Sequence, residues 1–124
     1  MSYLNKPIGC LQDFDFNAKG ELINKDIDKN KTVIIMIQSN FCGYCTMAKP
    51  AFQKFAENNK DVVCLTIQGD GSHPGEKELN DRIKIIDPTF RGYPSYVAYK
   101  NGKYVKTNEV GRSETDLRKF ANSV

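Results

Sequence analysis

The chain alternates short apolar blocks with polar segments, and the spacing inside each block changes along its length. Thr32-Val33-Ile34-Ile35-Met36-Ile37 is a continuous, mostly β-branched run, the pattern of a central strand covered on both faces. Phe41 follows, and then the period lengthens. From Tyr44 to about Glu57, the residues Met47, Ala48, Phe52, Phe55 and Ala56 fall on one face of a helix. Pro50 lies inside that helix and is expected to kink it rather than end it, with Asn58-Asn59 as the stop. Val62-Val63-Cys64-Leu65-Thr66-Ile67 is a second buried strand. A loop rich in breakers, residues 69–75, then leads to a helix predicted over 76–86 with Leu79 and Ile83 inward. Residues 95–100 and 103–107 read as strands joined by the Asn101-Gly102 turn. Ser113, followed three residues later by Asp116, resembles a capping box opening a last helix through Leu117 and Phe120.

The first thirty residues are less regular. Leu11, Phe14 and Phe16 offer apolar positions, and Asn17-Ala18-Lys19-Gly20 reads as a turn before Glu21-Leu22-Ile23, which suggests a short hairpin. Residues 24–31 are a polar, charged connector. The resulting order is strand, helix, strand, helix, hairpin, helix. That order predicts an α/β domain, a central mixed β-sheet flanked by helices on both faces. No internal repeat or Pro/Gly-rich linker divides the chain, so residues 1–124 read as one domain with an N-terminal extension over 1–31.

Composition narrows the function classes. At 124 residues and 14.0 kDa the chain is too short for a barrel enzyme of about 250 residues. Hydrophobic residues at 40% suffice for one core, and seven Phe and six Tyr argue against disorder. The formal charge of +3 and the pI near 8.6 are mild, so no nucleic-acid partner is expected. No apolar run reaches the length of about 18 residues that would span a membrane. The opening Met1-Ser2-Tyr3-Leu4-Asn5-Lys6-Pro7 has no apolar signal region, which leads to the expectation of a reducing, cytoplasmic home.

Of the four cysteines, Cys10 and Cys64 stand alone, whereas Cys42-Gly43-Tyr44-Cys45 forms a close pair. The pair lies after a buried strand and at the start of an amphipathic helix, the context of a redox motif. At a helix N-terminus the unpaired N–H groups and the helix dipole favour a thiolate, so Cys42 is the expected nucleophile. Cys45, a turn inward and shielded, is the expected resolving thiol, and Gly43 lets a partner chain approach. Two structural helix cysteines are the plain alternative. Zinc would want four Cys or His ligands, and only the isolated Cys10, Cys64 and His73 remain. An iron–sulfur cluster bridging two chains is a further alternative. No metal or cofactor is expected, since a dithiol is itself the redox group.

Four segments together resemble the thioredoxin fold family over about residues 32–120. Phe41-Cys42-Gly43-Tyr44-Cys45 is similar to the active-site motif, with Phe where Trp is usual and Tyr44 where many members carry Pro. Pro50 matches the proline of the active-site helix, and Arg91-Gly92-Tyr93-Pro94-Ser95 matches the Gly-X-Pro-Thr loop. Val110-Gly111-Arg112 matches the stretch before the last helix. The resemblance implies a cis peptide before Pro94, with Tyr93 offering its backbone to an extended substrate, and Phe41, Tyr93 and Pro94 in substrate binding. Within the family the loop is closest to the catalytic domains of protein disulfide isomerases. There the arginine matching Arg112 can move toward the cysteines and lower the resolving thiol's pKa. The family's usual buried acid and partner lysine have no match: those positions hold Met36 and Cys64. Cys64 and Cys10 read as small buried apolar fillers. His73 reads as an exposed loop residue, and Tyr96 and Tyr99 as sheet packing.

The expected function is therefore protein-disulfide oxidoreduction by dithiol–disulfide exchange, with a thioredoxin-like reductase preferred. Its partners would be proteins bearing thiols or disulfides, with a reducing system (a flavoprotein reductase or glutathione) or an oxidase to reset the pair. A disulfide isomerase or oxidase, a glutaredoxin and a non-catalytic interaction module are the alternatives. The single Gly in Val110-Gly111-Arg112 disfavours the glutaredoxin.

Overall fold

The computed structural model describes residues 4–124. Met1-Ser2-Tyr3, part of the stretch read above as lacking a signal region, lie outside the described residues. Five strands, β1 (Gly9–Cys10), β2 (Thr32–Gln38), β3 (Val62–Gln68), β4 (Ser95–Lys100) and β5 (Lys103–Thr107), form one sheet in the order β1-β3-β2-β4-β5. β1 and β2 run parallel to β3, while β4 is antiparallel to β2 and to β5. The helices are α1 (Gly43–Asn58), α2 (Glu76–Asn80), α3 (Ile83–Ile86) and α4 (Glu114–Asn122). This is the mixed sheet with helices on both faces that the residue pattern predicts.

The run in β2 is apolar throughout because its two sets of side chains enter two different cores. Ile34 and Met36 point to the α1 and α4 side, with Phe52, Phe55, Cys64, Leu117 and Phe120. Val33, Ile35 and Ile37 point the other way, with Leu65, Ile67, Leu79, Ile86 and Tyr99. The central strand is thus sealed on both sides, and its C-terminal end delivers the cysteine pair to the rim of the sheet.

Several expectations are corrected here. The helix over 76–86 is two short pieces: the Asp81 N–H bonds back to the Leu79 carbonyl, and Arg82 departs from helical geometry at φ −112°. The break serves a contact, because the Arg82 guanidinium reaches Asp13 Oδ1 at 2.5 Å and also donates to the Asn17 carbonyl. Those bonds fasten the N-terminal segment over the second core. The hairpin expected there is a single antiparallel bridge, Phe16 to Leu22, closed by the turn at Asn17–Gly20. Leu11, Phe16 and Leu22 are buried, whereas Phe14 faces solvent. Residues 9–10 join the sheet as β1, an edge strand that is too short for periodicity to reveal. The polar connector is also anchored, with Lys29 Nζ donating to the Asn24 carbonyl and the Lys29 carbonyl accepting from Asn101 N–H.

Candidate active site

The site is built where β2 ends and α1 begins. Gly69 N–H donates to the Gln38 carbonyl at 2.7 Å, extending the β2–β3 ladder to its last residue. Beyond it, Asp70 reaches across from the β3 side and accepts from Asn40 N–H at 2.9 Å and from Gln68 Nε2 at 2.5 Å. Burial pushes the Asp70 carboxyl up, but bonds from Asn40, Gln68 and Ser39 outweigh it and hold the group below its usual range. An ionised Asp70 therefore fixes the loop 39–41 that carries the chain into the helix.

Cys42 is the N-cap of α1, with extended backbone at φ −103° and ψ 109°. Its Sγ accepts from Cys45 N–H at 3.1 Å, taking the place of a capping side-chain oxygen. The same thiol donates to the Tyr93 carbonyl at 3.4 Å, so the loop before β4 touches the pair directly. Cys42 is half-buried and Cys45 fully buried, one turn further in. Burial pushes the Cys45 thiol up to about 12, and its hydrogen bond with Cys42 adds to the effect. The Ser39 backbone and the Lys49 cation pull the other way. The two thiols are thus unequal: one is accessible with a donor aimed at its sulfur, the other withdrawn and protonated.

The remaining predicted residues distribute around this mouth. The Tyr93–Pro94 peptide is cis, and Pro94 is half-buried beside the groove described below. The Tyr93 ring packs edge-on against Phe90, with its hydroxyl donating to Asn80 Oδ1 at 3.3 Å. A side chain at Gly69 would run into that ring, its Cβ falling 2.6 Å from Cε1, so the loop closes only over glycine. Phe41, at 93% exposure, and Tyr44, at 65%, stand outside the core with Gly43 between them. Met47, read above as an inward helix position, is 78% exposed, because α1 turns only Cys45, Ala48, Phe52, Phe55 and Ala56 toward the sheet. Exposed apolar side chains beside an accessible sulfur make a surface suited to another polypeptide.

Arg112, to which the resemblance gave a modulating role, stands beside Tyr44 in this structure. Its guanidinium carbon lies 5.3 Å from the centroid of the Tyr44 ring, a cation–π contact at the surface. The cation that acts on Cys45 is Lys49, one helical turn beyond it. A groove of about 270 Å3 separates the Arg91–Pro94 loop from the Asn108–Arg112 loop, and Tyr96 forms part of its lining. The residue pattern assigns Lys49 no role and gives Tyr96 only sheet packing. The i, i+4 spacing of Cys45 and Lys49 was the available sign for the first.

The other thiols lie elsewhere. Cys64 is buried on the α1 side of the sheet, opposite Ile34, as the filler reading expects. Cys10 differs: it is half-buried on β1 and donates to Glu76 Oε2 at 3.4 Å. His73 is exposed in its loop. Among the described residues no three His, Cys, Asp or Glu side chains gather closely enough to hold a metal.

The thioredoxin family model matches residues 16–123. A thioredoxin-like protein of Invertebrate iridescent virus 6 is 46% identical over 116 residues, covering 84% of this chain and 83% of its own length. Thioredoxin of Gallus gallus is 29% identical over 103 residues, covering 82% of this chain and 81% of its own. Among solved structures, thioredoxin f2 of Chlamydomonas reinhardtii superposes with a TM-score of 0.67 at 18% identity, over 94% of each chain.

Proposed function

The chain belongs to the thioredoxin family, and from that premise we propose that it reduces disulfides in other proteins by dithiol–disulfide exchange at Cys42 and Cys45. Family membership carries a thioredoxin-like redox function; the chemistry at this pair is our reading of the site. The observation behind it is the asymmetry of the two thiols. The half-buried Cys42 caps the helix with its sulfur 3.1 Å from a backbone donor, and Cys45 is sealed one turn deeper.

In the proposed sequence the Cys42 thiolate attacks one sulfur of a substrate disulfide, and the other sulfur leaves as a thiolate and takes up a proton. A mixed disulfide now joins Cys42 to the substrate. Cys45 then loses its proton and attacks Cys42 Sγ, expelling the second substrate thiol. Two electrons pass to the substrate, and the protein ends with a Cys42–Cys45 disulfide. A cellular dithiol or thiol reductant must reset it, which suits a reducing cytoplasm. Phe41, Tyr44 and Pro94 would meet the substrate, and the Tyr93 carbonyl, already bonded to Cys42, would sit beside the exchanging sulfurs.

The reduction potential of the Cys42–Cys45 couple, measured against glutathione in a form with Cys10 and Cys64 replaced by Ser, tests this. A value near −270 mV, the thioredoxin level, supports the reductase. A value around −180 mV or higher would turn the direction toward disulfide donation or isomerisation. No reversible couple would end the redox reading.

A further inference from the structure

In the exchange proposed above, one step runs against burial, with the Ser39 backbone and the Lys49 cation set against it but outweighed. Resolution needs Cys45 to act as a thiolate, yet this thiol is buried and pushed up to about 12 by that burial. Met36, which holds the position of the family's usual buried acid, is 0% exposed, and a thioether takes no proton at neutral pH. Arg112 is engaged with Tyr44.

Directly opposite Met36 in the β2–β4 ladder stands Tyr96. Its ring lies in the core beneath α1, 5.7 Å from Phe52 and in the same cluster as Met36 and Ala48, the residue three positions along the helix from Cys45. Tyr96 is 3% exposed, and its hydroxyl is buried with no hydrogen-bond partner among the described residues. Burying an unpaired hydroxyl costs about 1–3 kcal/mol, and phenylalanine would fill the same space without that cost. The tyrosine also lines the groove beside Pro94 and Arg112, which places it between the core and the mouth. Its acidity is suppressed first by burial, with Arg112, Cys45 and Cys42 all close enough to act on it electrostatically, so it keeps its proton.

We propose that Tyr96 supplies the hydrogen bond that supports Cys45 during resolution: its O–H donates to the Cys45 sulfur as negative charge grows there. The inference rests on the exchange chemistry proposed above. In the step itself the Cys45 S–H bond breaks, the sulfur's electron pair forms the bond to Cys42 Sγ, and the bond from Cys42 to the substrate sulfur breaks. The proton ends on the departing substrate sulfur. Tyr96 keeps its own proton throughout, and no outside oxidant or reductant is required.

The substitution Tyr96→Phe separates this role from packing, because the two agree on stability and differ on the rate of exchange. A hydroxyl that only packs is a liability, so its removal leaves stability equal or higher and exchange unaltered. Under the proposal, stability is equal or higher in urea titration, while release of substrate from the Cys42 mixed disulfide slows about ten- to hundred-fold. Quenched-flow trapping with a peptide disulfide reads formation and release of that species separately. Formation is followed in Cys45→Ser protein, where release is blocked. Release at the same rate in Tyr96 and Tyr96→Phe protein overturns the inference while leaving the exchange reading intact. If Cys45→Ser protein traps no mixed disulfide at all, the exchange reading falls and the role of Tyr96 falls with it.

Discussion

Two half-buried thiols in this molecule have opposite electrostatic surroundings. Cys42 lies at the start of α1, where its sulfur accepts from a backbone N–H at 3.1 Å. Cys10 lies on the edge strand β1, where its thiol faces the Glu76 carboxylate at 3.4 Å. Burial pushes the Cys10 thiol up to about 12, and the hydrogen bond to Glu76 and the charges of Glu76 and Asp15 push the same way. Exposure alone therefore does not distinguish these two thiols. The sign of the neighbouring groups does: a donor aimed at sulfur supports negative charge, and a carboxylate beside it opposes the same charge.

The sharpest break of this comparison would be loss of activity from the wrong thiol. Cys42→Ser is expected to lower reduction of a protein disulfide by at least ~10³-fold, since the attacking atom is gone. Cys10→Ser is expected to leave the rate within about two-fold, as for a substitution remote from the chemistry. An insulin-reduction assay at neutral pH reads both. A large loss from Cys10→Ser would show that the edge thiol takes part and would undo the distinction.

Much of this arrangement was legible in the chain. The β2 run, the helix starting after it, the Asn101-Gly102 hairpin and the Ser113 cap are all local patterns, and each appears where the residues put it. Ser113 Oγ accepts from Asp116 N–H at 3.0 Å, as the spacing implies. What stayed hidden depends on contacts between distant residues. β1 spans two residues, so no periodicity can declare it, and its pairing with β3 crosses more than fifty positions. Met47 has the right helical phase to point inward, but phase does not say how wide a stripe the sheet will cover. Within the site, the Cys42–Cys45 pair was plain from spacing alone. Asp70 and the placing of Tyr96 were not, because other strands and turns bring them to the pair, whereas Lys49 lies on α1 itself, one turn past Cys45.

A second, smaller test uses alkaline pH. Cys10, Cys45 and Cys64 are each pushed up to about 12 in the fold, against about 8.5 for a free thiol. Below pH ~8.5 both folded and unfolded chains keep these protons, and the stabilising difference is fully present. Above it the unfolded chain releases protons that the folded chain retains, so stability falls as pH rises toward about 12. Each such thiol contributes a slope of up to ~1.4 kcal/mol per pH unit. Urea titrations of the reduced protein between pH 8 and 10 are expected to show this decline, with a shallower slope in Cys64→Ala. An unchanged slope in that variant would mean that Cys64 ionises in the fold as freely as in the unfolded chain.

The finest test converts one environment toward the other. Glu76 is buried, its Oε1 accepting from His73 N–H at 3.1 Å and its Oε2 facing Cys10. Glu76→Gln keeps the shape. With its amide oxygen toward His73, the variant turns an N–H2 group toward the Cys10 sulfur, replacing an anion by a donor, the relation that Cys42 already enjoys. Burial still opposes the thiolate, and burial is the largest influence on Cys10, so the gain is partial. Alkylation of Cys10 by iodoacetamide at pH 8.5, followed by peptide mass mapping, is expected to quicken about three- to ten-fold, roughly one pKa unit or less. Cys64, remote from Glu76, serves as the internal reference. An unchanged Cys10 rate would show that burial alone protects this thiol, and the contrast between the two cysteines would then rest on access rather than on the sign of the neighbouring charge.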